Sequence, residues 1–102
     1  MIKVVIKRDE STQAITSIEI KGHANSAEYG KDLVCAAVSA IITGGANALE
    51  EDIYDISLKE GKAYIKTDKI PGINDQVVLK TIEIQLKTIE EIEKEFIKIE
   101  NF

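Results

Sequence analysis

Residues 74–99 read NDQVVLKTIEIQLKTIEEIEKEFIKI, and how they fold decides how many strands the rest of the chain must supply. Leu79, Ile82, Leu86, Ile89, Ile92, Phe96 and Ile99 recur at intervals of three and four, with Lys and Glu between them. An apolar stripe at that spacing predicts one long amphipathic helix, with Asn74 or Asp75 able to cap its start. The stripe also suits pairing with a second copy of the chain. Upstream, Ile2, Val4 and Ile6 alternate with Lys3 and Lys7, which is a strand signature. Asp9 to Gln13 read as a turn. Thr16, Ile18 and Ile20 then alternate with Ser17, Glu19 and Lys21, completing an antiparallel hairpin. Residues 53–58 and 63–67 flank Lys59-Glu60-Gly61-Lys62 and predict a second hairpin, with Gly61 in its turn.

Between the hairpins, residues 22–32 are small and polar and predict a loop. From Leu33 onward Val34, Val38, Ile41, Ile42, Gly45 and Leu49 take helical spacing. Many alanines let this helix approach its neighbours closely, while Gly44-Gly45 weakens its interior. The expected fold is therefore α+β in ββαββα order: a four-stranded, mostly antiparallel sheet with two helices on one face. It forms a single domain over residues 1–102.

Composition narrows the function. The 102 residues carry 13 Lys+Arg against 18 Asp+Glu, a net charge of −5. That balance argues against a general phosphate-binding surface, so no direct nucleic-acid partner is expected. It suits a basic protein partner. One Cys and one His cannot build a disulfide or a structural zinc site within the chain, and no metal or cofactor is expected. No apolar run approaches the roughly 20 residues of a membrane span, and no signal peptide is evident, so the expected location is the cytoplasm.

The only Cys and the only His both fall within residues 22–48, a stretch with few charges. Cys35 sits in the first turn of the predicted helix, where the positive end of the dipole favours an anionic sulfur. Backbone N–H groups at that end suit a developing oxyanion. The position equally fits a small buried apolar residue. His23, at the mouth of the loop, can take a thiol proton and return it to a leaving amine, or it is simply a loop histidine. Asp32 either orients the imidazole or caps the helix. Ser39 lies one turn beyond Cys35, as a hydrogen-bonding or a packing residue. Glu28 and Tyr29 either touch substrate or lie on the surface. Gly22 to Lys31 lacks the spacing of a phosphate loop.

Gly22-His23-Ala24, followed six positions after Ala24 by Gly30-Lys31-Asp32-Leu33-Val34-Cys35-Ala36-Ala37-Val38-Ser39, resembles the signature of the ribosomal-processing cysteine protease family, Prp. The resemblance implies a cytoplasmic, homodimeric thiol protease. It implies removal of the N-terminal extension of the large-subunit ribosomal protein numbered twenty-seven, enabling ribosome assembly. Cys35 would be the nucleophile and His23 its acid–base partner. Gly22 and Gly30 would be the hinges of a loop that closes over the substrate, and Asp32 occupies a motif position. Two readings compete: a non-enzymatic ribosome-assembly binding module, and a thiol hydrolase or acyl transferase with another substrate.

Overall fold

The structure, a computed structural model, describes residues 1–24 and 32–102. Strand β1 (Ile2–Arg8) and strand β2 (Ile15–Lys21) form the first antiparallel pair, and helix α1 (Leu33–Ala48) follows. Strands β3 (Asp55–Lys59) and β4 (Lys62–Lys66) make the second hairpin, then comes helix α2 (Ile73–Ile92). The chain then adds a further strand, β5 (Ile97–Asn101), parallel to β1. The sheet order is β3-β4-β2-β1-β5.

This corrects the expected four-stranded, mostly antiparallel ββαββα arrangement. The sheet has five strands and is mixed, and the order is ββαββαβ. The helix stops at Ile92, with no basic residue in its last turn to complement the dipole. Glu93 leaves helical geometry, and Phe96 N–H donates to the Glu93 carbonyl at 2.9 Å to close a turn. Ile97 is then buried beside Ile2. Phe96 and Ile99 extend the helical spacing by coincidence, since Ile97 and Ile99 also satisfy the two-residue period of a strand.

Two smaller expectations also change. The register slips between Lys7 and Arg8, so Thr16 is the extra residue of a β-bulge and Ile15 enters the core in its place. Gly72, not Asn74 or Asp75, is the N-cap of α2. Asp75 is buried instead, and it accepts from Glu50 N–H, Glu51 N–H and the Tyr54 hydroxyl at 2.9, 3.1 and 2.8 Å. It thereby pins the connector between α1 and β3.

Alternation along the strands sends Val4, Ile6, Ile18, Ile20, Ile65 and Ile97 into one core with Val38, Ile42, Leu79, Ile82 and Leu86 of the helices. Helix α1 runs through Gly44-Gly45 unbroken, and packing explains Gly45: a Cβ there would strike the Ile82 side chain of α2. At the far end of the sheet the Arg8 guanidinium donates to both Glu83 carboxylate oxygens at 2.6 Å and to Asn101, tying β1, α2 and β5 together. Among the described residues no helix is long and apolar enough to cross a membrane.

On the opposite, solvent face of the sheet, Glu19 bridges Lys21 at 2.8 Å and Lys66 at 2.9 Å. The hydrogen bond to Lys21, then that to Lys66, holds its carboxyl down from the ordinary 4.5 to about 2. The stabilisation is whole above the ordinary carboxylate value and is lost as the pH falls from about 4.5 toward 2. With both lysines about half exposed, it is worth on the order of 1 kcal/mol. Urea titrations at pH 7 and pH 3 should show Glu19→Gln losing that increment at pH 7 and matching the parent more closely at pH 3. An equal difference at both values would refute the ion-pair account.

Candidate active site

Strand β2 ends at Lys21, and Gly22 turns the chain off the sheet at φ +90°, in the region that favours glycine. Its N–H donates to the Gly61 carbonyl at 3.0 Å, and a Cβ at Gly22 would lie 2.5 Å from the Met1 carbonyl oxygen. Only glycine fits both demands. The turn carries His23 onto the β3–β4 hairpin, where Gly61, itself at φ +79°, leaves room for the ring. A Cβ at Gly61 would sit 3.0 Å from His23 Nε2. The imidazole is exposed.

Ala24 follows and is buried, and its N–H donates to Cys35 Sγ at 3.3 Å. Cys35 is the third residue of α1 and is half-buried against the core. Asp32 is the N-cap of that helix: its Oδ1 accepts Cys35 N–H at 3.0 Å and its carbonyl accepts Ala36 N–H at 3.0 Å. The capping geometry is therefore present. The N–H of Cys35 itself, a donor expected at the helix start, is already engaged by the cap.

These groups open on one cleft of about 900 Å³, lined by Gly22, His23, Asp32, Cys35 and Ser39, with Leu58 on its β3 wall. The cleft brings together His23, Cys35 and Asp32. Among the described residues no hydrogen bond joins His23 to Cys35; the imidazole lies against Gly61 and the sulfur against Ala24 N–H. Gly30, the second expected hinge, and Glu28 and Tyr29, the expected loop contacts, lie outside the described residues. Two features of the site escaped the sequence. Gly61 reads locally as a turn residue, and only the pairing of Lys21 with Lys62 places it beside Gly22 and His23. The Ala24 N–H has no side-chain signal at all. Among the described residues no cluster of three or more His, Cys, Asp or Glu is placed to hold a metal ion.

The family model described as cysteine protease Prp matches residues 1–98. The ribosomal processing cysteine protease Prp of Staphylococcus aureus is 34% identical over 90 residues, covering 83% of this chain and 85% of that protein. Its counterpart in Bacillus subtilis is 33% identical over 108 aligned positions, covering 97% and 96%. The crystal structure of the S. aureus protease with a covalently linked product peptide superposes with a TM-score of 0.91 at 33% identity, covering all of both chains. The same protease with a substrate peptide gives 0.86 at 31%.

Proposed function

We propose, from the premise that this chain belongs to the cysteine protease Prp family, that Cys35 and His23 form its catalytic dyad. The observation that carries this reading is the placement of the Cys35 sulfur, in the first turn of α1, in one cleft with the only histidine of the chain. The family is proteolytic, and relatives of similar sequence hold substrate and product peptides.

His23 takes the Cys35 proton, and Sγ attacks the scissile carbonyl carbon, forming a C–S bond as the carbonyl π pair moves onto oxygen. The Ala24 N–H, which donates to the sulfur, is the proposed donor to the oxygen as it becomes negative. Collapse of the tetrahedral species breaks the C–N bond, and His23 delivers the proton to the departing amine. Water, deprotonated by His23, then hydrolyses the thioester and restores the thiol. Asp32 sets the start of the helix that carries the nucleophile. Gly22 serves as the hinge through which His23 approaches the sulfur.

The proposed substrate is the N-terminal extension of the large-subunit ribosomal protein numbered twenty-seven, in the cytoplasm where ribosomes are assembled. A homodimer is supported by the exposed aliphatic residues Ile73, Val77 and Ile84 on α2, which no part of the described chain covers. The test is a synthetic peptide spanning that extension, followed by chromatography. The parent should cleave it once, and His23→Ala should lower the rate about 10²- to 10⁴-fold while peptide affinity is retained. Unchanged cleavage by His23→Ala would remove the histidine from the mechanism. Binding without turnover by the parent would return the chain to the class of binding modules.

A further inference from the structure

The net charge of −5 hides a segregation that strand pairing creates. Across the solvent face, Lys59 of β3 is paired with Lys62 of β4, Lys62 with Lys21 of β2, Lys21 with Lys3 of β1, and Lys3 with Lys98 of β5. One lysine from every strand therefore stands in a single row across the sheet. All five are exposed. Paired positions share a face, and neighbouring strands lie roughly 4.8 Å apart, so the row runs roughly 19 Å with no acidic residue in it.

Like charges directly opposite each other destabilise a sheet. The face could have avoided this, since the next row contains Glu19 and Glu100, and Glu19 neutralises Lys21 and Lys66. Among the described residues Lys3, Lys59, Lys62 and Lys98 have no ion pair. The row is thus a linear array of five cations, of which Glu19 bridges only Lys21, held at a cost to the fold. Its natural complement is an equally linear array of anions.

We propose that this lysine row binds the phosphate backbone of RNA, independently of the protease assignment. A nucleic-acid strand carries one charge per about 3.4 Å in a duplex, so the row spans about six phosphates. A flat anionic membrane fits less well, because Glu19 and Glu100 flank the row on the same face. Tyr64, the aromatic residue of that face, is covered by the Lys66 ammonium at 4.3 Å from its ring centroid, so the face presents charge and no open stacking platform. Binding is therefore independent of base sequence. Lys59 and Lys62 also line the cleft that holds Cys35, so a strand on the row passes the rim of that cleft.

The experiment uses the full chain, a fluorescein-labelled single-stranded RNA of mixed sequence, and fluorescence anisotropy between about 50 and 200 mM salt. Three to five phosphate contacts give a slope of log K against log [salt] of about −2 to −3.5. Lys3→Glu combined with Lys98→Glu, both outside the cleft, should weaken binding at least about tenfold and flatten the slope by about 1.4. Lys3→Gln with Lys98→Gln should flatten it similarly, with an unchanged or raised Tm as the repulsion is relieved. Peptide cleavage by both variants should match the parent. Lack of RNA binding at the lowest salt, or binding indifferent to these substitutions, would overturn the proposal. So would displacement by polyglutamate at equal charge concentration, or tighter binding to phosphatidylserine vesicles than to RNA.

Discussion

Cys35→Ala is expected to reduce cleavage of the extension peptide to background, a loss of at least about 10⁴-fold, because it removes the only thiol in the sequence. The side chain is only half-buried, so the lost packing is small. The larger structural effect is on Ala24, whose buried N–H loses its acceptor, at about 1 to 2 kcal/mol. Cys35→Ser separates the two effects: its hydroxyl can still accept from Ala24, so stability should stay near that of the parent while cleavage remains at background. Chromatography of the peptide and thermal melts of both variants check this. Cleavage at more than a few per cent of the parent rate in both would reject Cys35 as the nucleophile. Rapid alkylation of the parent by iodoacetamide near neutral pH is the companion result for a sulfur that opens on the cleft.

The largest expected loss of stability comes from a residue far from the sulfur. Asp75→Ala should cost about 3 to 5 kcal/mol, because it strands three donors on the α1–β3 connector, those of Glu50, Glu51 and Tyr54. Burial opposes the charge on Asp75, but hydrogen bonds from the Glu50 and Glu51 N–H groups and the Tyr54 hydroxyl outweigh it and lower the carboxyl. Burial, together with the same pairing, pushes the Tyr54 phenol up. A lowered carboxyl means that the stabilisation is complete at neutral pH and is lost as the pH falls through the folded value. Asp75→Asn keeps one accepting oxygen and should lose roughly half as much. Urea unfolding at pH 7 measures both. A loss below about 1 kcal/mol for Asp75→Ala would show that the connector is held by packing alone.

What the sequence disclosed follows the range of the interactions concerned. The strands at Ile2–Arg8 and at 53–67 and the helix from Leu33 announce themselves by local period, and the Gly-His-Ala and Cys-Ala-Ala spacing marks the candidate site. The fifth strand did not, because Ile99 fits the helical spacing with Phe96 and the strand period with Ile97 at once. What decides between the periods is Ile2, whose N–H donates to the Phe96 carbonyl. The bulge at Thr16 and the anchoring role of Asp75 are likewise set by partners distant in sequence. Summed charge is silent in the same way: it counts lysines without recording that cross-strand register places five of them in line.

The parallel ladder between β1 and β5 has a consequence for biosynthesis. The strand opened by Ile2 has one flank that Ile97 to Asn101 close, so during translation that flank stays unsatisfied until all the residues between the two strands have been made. Contacts of such separation form late and slowly. At about 5 to 20 residues per second, the nascent chain spends several seconds with this sticky margin uncovered. Chaperone engagement of newly made protein should therefore centre on β1.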